Sequence, residues 1–296
     1  LSASPNDRLR LNASYAHDER DNQTPIASYP SVSTDMFVGL PRSNQAYSFT
    51  QDKFRLSADY RGPGSLKTSV GADHDTRKRP QQEAETTREA TLWGRIGFQP
   101  DEKVTLALKG AHAERTASDY VSVASIVPPE NPLLRKYNMA DRKRDTVGLR
   151  ADYAATENVS IGLGGDVAYD DYTNSTIGLL DGRTASFGGD VSFALSDVTQ
   201  LNFYAQAERI SSRQAGSAVF AQPDWKGKNE DAVDLVGVGL KHAAMSGRLE
   251  LGADLVFSRS RSDVTVETAA SNPGFPQATT SLDMFKLRAT YRLSEN

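Results

Sequence analysis

The sequence predicts an all-β fold, an antiparallel transmembrane β-barrel, and three observations predict it. Hydrophobicity alternates with period two along almost the whole chain, the connections are short and long by turns, and the apolar content is low. The 296 residues are 38% hydrophobic and 24% charged, and mean hydropathy is −0.52. A water-soluble domain of this length would be short of core residues unless its apolar side chains face something other than a core. A barrel in a bilayer needs them only at alternate positions, because the other half of each strand lines an interior that can stay polar. No stretch approaches the roughly 18 consecutive apolar residues of a membrane-spanning helix.

Composition closes other routes. Lys plus Arg number 34 and Asp plus Glu 38, a net charge of −4, which makes no electrostatic case for nucleic acid. Cysteine is absent, so a disulfide scaffold, a thiolate metal site and a self-attached c-type haem are excluded. No basic segment followed by an apolar one marks a secretory signal.

Along the chain, the first strand alternates Leu9, Leu11, Ala13 and Tyr15 with Arg8, Arg10, Asn12 and Ser14. The next sets Phe54, Leu56, Ala58 and Tyr60 against Lys53, Arg55, Ser57 and Asp59. One face is wholly polar in each. The same pattern marks 66–74, 92–98, 104–112, 147–153, 159–169, 185–193, 201–207, 236–240, 249–257 and 285–293, giving about twelve strands. Short turns carry turn chemistry at Gly62-Pro63-Gly64, Gln99-Pro100-Asp101-Glu102, Ala155-Thr156-Glu157-Asn158, Leu195-Ser196-Asp197 and Ala244-Met245-Ser246-Gly247. The long or polar loops, at 20–48, 77–85, 118–141, 174–182, 214–229 and 263–281, all fall at the other end. Short turns on one rim and long loops on the other is the layout of an outer-membrane barrel.

An aromatic on the apolar face precedes most short turns, at Tyr60, Phe98, Tyr153, Phe193 and Tyr291, so an interfacial girdle is expected at the short-turn rim. A weak repeat of aromatic, turn, acid and new strand joins Phe98–Leu106, Tyr153–Ile161 and Phe193–Leu201. Residues 291–296 resemble its first half and residues 4–9 its second. The expectation is a single domain, residues 1–296, cut from a larger barrel, since a sheet with two unpaired edges is not tolerated in lipid.

The interior positions collect charges of both signs, among them Arg10, Arg55, Asp59, Asp73, Arg95, Lys109, Arg150, Asp166, Glu250, Asp254 and Arg288. Their ordinary reading is solvation or cross-strand pairing; a wide barrel could also set them against a polar plug. Catalytic constellations are thin. Of His17, His74, His112 and His242, only Asp73-His74-Asp75 is suggestive, and His74 points to the face opposite the two acids. Asp170-Asp171 could hold a cation as paired carboxylates, against the plainer reading of a solvated strand end. The basic run Arg142-Lys143-Arg144, with Arg135-Lys136 before it, could meet lipid phosphates or an acidic partner. The Pro-rich stretch 127–132 is expected to form a stiff loop over the long-loop rim.

Three stretches carry a family resemblance: residues 131–144 (Asn-Pro-Leu-Leu-Arg-Lys-Tyr-Asn-Met-Ala-Asp-Arg-Lys-Arg), 87–95 (Thr-Arg-Glu-Ala-Thr-Leu-Trp-Gly-Arg) and 51–56 (Gln-Asp-Lys-Phe-Arg-Leu). They resemble the MtrB/PioB family of decahaem-associated outer-membrane β-barrels, most specifically from Tyr137 to Arg144. The resemblance implies a bacterial outer-membrane location and a wide sheath that holds a periplasmic decahaem or other multihaem c-type cytochrome for extracellular electron transfer. It also implies a second multihaem cytochrome at the cell surface in many members, and that haem c belongs to the partner and not to this chain. The implied role is non-enzymatic, and no catalytic, cofactor-binding or metal-ligating residue is assigned here. The strand pattern equally supports a diffusion porin or solute transporter, whereas a barrel hydrolase lacks a convincing catalytic set.

Overall fold

A computed structural model describes residues 1–34, 37–121, 130–268 and 274–293. The strands are β1 (Ser2–Asn6), β2 (Leu9–Arg20), β3 (Ser28–Thr34), β4 (Phe37–Ser43), β5 (Phe49–Arg61), β6 (Lys67–Lys78), β7 (Thr86–Phe98) and β8 (Val104–Ala117). They continue with β9 (Leu134–Arg135), β10 (Arg142–Thr156), β11 (Val159–Asp171), β12 (Ile177–Ser196), β13 (Thr199–Gly216), β14 (Trp225–Ala244), β15 (Leu249–Thr268) and β16 (Ala278–Tyr291). One antiparallel sheet runs β1-β2-β5-β6-β7-β8-β10-β11-β12-β13-β14-β15-β16 as an up-and-down meander, with β9 attached to β12. The path does not return on itself, so β1 and β16 are its edges. β3 and β4 form a separate hairpin inside the first long loop.

Each of the twelve strands read from the sequence is present. β1 is additional, because Asn6 turns the chain back: its Oδ1 accepts from the backbone of Arg8 and Leu9 at 2.9 Å each. Asp101 closes the β7–β8 turn in the same way, accepting from the N–H of Lys103 and Val104. In the other two copies of the sequence repeat a hydroxyl accepts instead, Thr156 Oγ1 from the N–H of Asn158 at 3.2 Å and Ser196 Oγ from that of Val198 at 3.4 Å.

The predicted loops 174–182, 214–229 and 263–281 are overstated. β12 and β14 reach 20 residues, and β15 matches them. Charged residues there still pair across strands, as Arg213 does with Asp181 and Arg209 with Asp234 at 2.7 Å, so the ladder continues beyond the apolar zone.

Register keeps the apolar residues on one face, and charged residues enter that face only toward the long-loop ends of the strands. A single row of paired residues runs Leu9, Tyr60, Thr68, Ile96, Leu108, Leu149, Gly165, Phe187, Ala207, Asp234, Arg259 and Ser281. It starts at the short-turn end of β2 and arrives ten residues from the end of β16 at Tyr291. Ten residues at about 3.3 Å, gained over eleven steps of about 4.8 Å, correspond to a strand tilt of roughly 32°, close to that of a closed barrel. The sheet therefore carries a barrel's shear as well as its alternation.

The described residues form no conventional core. Among the described residues the buried apolar side chains are few, and Ala84, Ala113, Met139, Ala140, Tyr172 and Ile177 gather at the long-loop end.

Candidate functional site

The polar face is covered by ion pairs that lie along the wall. Arg55 donates to both carboxylate oxygens of Asp73, its register partner, at 2.9 and 2.7 Å. Lys109 reaches Asp166 at 2.6 Å although β10 lies between them, and Gly148 is the residue between. A Cβ on Gly148 would run into both side chains. Arg150, paired with Asp152 at 2.6 Å, also approaches Asp190 at 3.4 Å across Gly162, where a Cβ would again collide. Glycine at these positions lets charged side chains cross a neighbouring strand flat against the backbone. Aromatic rings use the same device. Trp93 covers Gly71 and donates its indole N–H to Asp73 at 3.2 Å, and Tyr204 covers Gly237. Between these pairs lies a shallow trough of about 460 Å³ over Gly148, Gly164 and Gly188, edged by Arg95, Lys109, Arg150 and Tyr204.

Residues 130–141 form a strap across the polar face at the long-loop end. β9 pairs in parallel with Ile177 and Gly178. Arg115, a polar-face residue of β8, donates to the carbonyls of Tyr137 and Ala140. Met139 is 2% exposed beneath the strap. At one end Lys136 is held by Glu83 and by Glu130, the latter at 2.7 Å; at the other Asn131 donates to the carbonyl of Ala221 at 3.0 Å. The strap thus spans from the loop after β6 to the loop after β13. Burial alone would pull the Lys136 ammonium down, but its bonds to Glu130 and Glu83 prevail and push it up to about 12.

The residues singled out in the sequence separate accordingly. His17, His74, His112 and His242 all lie on the apolar face, near its edges. His17 and His112 contact Asp52 and Asp145 at 2.8 and 2.6 Å, and His74 faces only Thr76 at 3.3 Å, away from Asp73 and Asp75. Asp170 and Asp171 point to opposite faces, Asp170 toward Arg142 and Arg144, so they do not form a paired-carboxylate site. The basic run is divided as well. Arg142 binds Glu89 at 2.9 Å on the polar face and Lys143 binds Glu114 at 3.2 Å on the other, so neither is free for lipid phosphate. Of the Pro-rich stretch, residues 127–129 lie outside the described residues. The Pro-rich stretch signals a stiff loop over this rim, and described residues 130–132 lie in the strap; its extent to Asp141 and its partners are not legible in the sequence.

The family model for the outer membrane beta-barrel porin MtrB/PioB matches residues 1–296. The chain belongs to the MtrB/PioB family. It is 34% identical over 259 residues to outer membrane protein MtrB of Shewanella baltica (strain OS185), covering 87% of this chain and 37% of that protein. The chain thus spans little more than a third of the length of that curated relative. In fold it is similar to the ferric citrate transporter FecA, with a TM-score of 0.60 at 11% identity, covering 99% of this chain and 43% of that one. An MtrB/PioB chain is an outer-membrane protein of porin-like type, which is not an enzyme class.

Its apolar face is therefore the lipid face. On β15 that face runs from Leu249 to Phe257 before Arg259 interrupts it. Eight residues at the tilt above give about 22 Å of height, near the roughly 25 Å apolar band of such barrels. Tyr60, Phe98, Tyr153 and Tyr291 are exposed at the final lipid-facing position before their turns or strand end, where the girdle was expected, and Phe193 sits at the equivalent place on β12.

Proposed function

We propose that this sheet is one arc of a wide outer-membrane barrel that holds a multihaem c-type cytochrome in its lumen, so that electrons cross the membrane through the partner's haems. The observation that carries the reading is the flat polar face. Along its middle, Lys109 pairs with Asp166 across Gly148 and Arg150 with Asp190 across Gly162, side chains that lie flat on the wall and do not reach into the lumen. A lumen so lined stays open to a folded, hydrated partner, which meets hydrogen-bonding surface without having to break ion pairs first. The chain spans 37% of the length of its MtrB relative, which fits a wall of more strands than this sheet holds, with β1 and β16 paired in the assembled barrel. The chain has no cysteine to attach haem, which fits a division in which the partner carries the cofactor.

The role of this chain is insulation and positioning. Lipid-face residues hold the wall at a fixed height, while the strap narrows the outer mouth and leaves the short-turn end clear for a periplasmic partner. A second cytochrome at the cell surface would meet the long-loop rim. The test is reconstitution of the full-length barrel in liposomes with and without the co-purified cytochrome. The loaded barrel should reduce an enclosed dye from an external donor while conducting few ions; ion conductance that persists with the cytochrome bound would favour a diffusion porin.

A further inference from the structure

We propose that Arg77, Arg79 and Arg115, at the polar-face mouth beside the strap, bind a phosphate-class oxyanion. Arg79 follows β6 and is only 7% exposed, yet its single side-chain hydrogen bond among the described residues goes to the neutral Thr87 Oγ1, at 2.9 Å. Arg77 stacks on the Phe49 ring at 4.3 Å, and its Nε is buried with no hydrogen-bond partner. Arg115 gives its Nε and Nη2 to the strap carbonyls of Ala140 and Tyr137, which leaves Nη1 with no hydrogen bond among the described residues. None of the three has a carboxylate at salt-bridge distance among the described residues.

The acids nearby are engaged elsewhere. Asp75 accepts from Gln51 at 2.6 Å, Glu83 holds Lys136, and Glu89 holds Arg142. Burial, with Arg77 and Arg115 adding repulsion that Asp75 offsets only in part, pushes the Arg79 guanidinium down to about 10, so it remains a cation at neutral pH. A cation removed from water without a counter-charge is costly, whereas several guanidinium groups around one tetrahedral oxyanion offer paired donors and opposite charge together. The site lies on the lumen side, which favours a free ion such as inorganic phosphate over a lipid headgroup. It is independent of what fills the lumen.

The test is thermal unfolding of the full-length protein in detergent, in millimolar phosphate against chloride at matched ionic strength, for the parent, Arg79→Gln and Arg95→Gln. Phosphate should raise the midpoint of the parent and of Arg95→Gln, while Arg79→Gln should bind it roughly 10- to 100-fold more weakly, the loss expected for one charge-assisted bond. Without phosphate, Arg79→Gln should be no less stable than the parent, since it removes an uncompensated buried cation. Stabilisation by lipopolysaccharide micelles but not by free phosphate would keep the site and change the source of the anion. Equal midpoints in phosphate and chloride with no effect of lipopolysaccharide, or a phosphate response unchanged in Arg79→Gln, would overturn the proposal.

Discussion

Exchanging the character of two adjacent residues on β10 tests the assignment of faces. Leu149 sits on the lipid face, 62% exposed, with Leu108 on one side and the bare Gly165 on the other. It lies four residues from Tyr153 at the girdle, about 11 Å up at the tilt derived above and so near the middle of the apolar band. Leu149→Arg should therefore cost about 2–4 kcal/mol, the range for a midplane cation on a barrel's lipid face. Arg150, one residue on, faces the lumen, and its pairs with Asp152 and Asp190 are half exposed. Arg150→Leu should cost less than about 1 kcal/mol. Denaturant titration of the full-length protein folding reversibly into lipid vesicles measures both. Equal costs, or a larger cost for Arg150→Leu, would refute the face assignment and the register on which it rests.

The flat wall and the strap make further predictions. Gly71→Val places a side chain where the Trp93 ring lies, so the indole should leave Asp73 and its emission should shift relative to the parent, at about 1–3 kcal/mol of overpacking. Met139→Ala removes the largest fully buried side chain among the described residues and should free the strap locally, read as faster tryptic cleavage at Arg135 and Lys136 with no loss of barrel strand content. Because Lys136 titrates near 12 when folded against 10.5 ordinarily, its contribution to holding the strap is complete below about pH 10.5 and is lost as pH rises through 12. Cleavage of the strap by an alkaline subtilisin should accordingly accelerate in that window, and Lys136→Met should abolish the dependence.

The wall was legible in the sequence because a barrel strand encodes its environment locally. Leu9 to Tyr15 and Phe54 to Tyr60 give face and lower boundary without reference to any neighbour. The upper boundary was read too low. The sequence of 177–185 or 226–234 looks like loop because it is charged, but Asp181 finds Arg213 and Asp234 finds Arg209 only once the strands are in register. Glycine was similarly ambiguous. Gly148 and Gly162 weaken a strand reading taken singly, and their purpose appears when Lys109 and Arg150 are seen crossing them. The strap depends on partners 22 to 90 residues away in sequence, namely Arg115, Glu83 and Ala221, which no local pattern reports. Asp170-Asp171 and the run Arg142-Lys143-Arg144 were read as clusters, although alternation sends their members to opposite faces; the rule applied to His74 would have divided them too.

The most direct measurement is the absorption spectrum of the full-length protein purified gently from its native outer membrane. A c-type haem band co-migrating with the barrel in stoichiometric amount is the result the proposed cytochrome sheath predicts. A colourless barrel that conducts ions in planar bilayers would contradict the account and identify a diffusion pore.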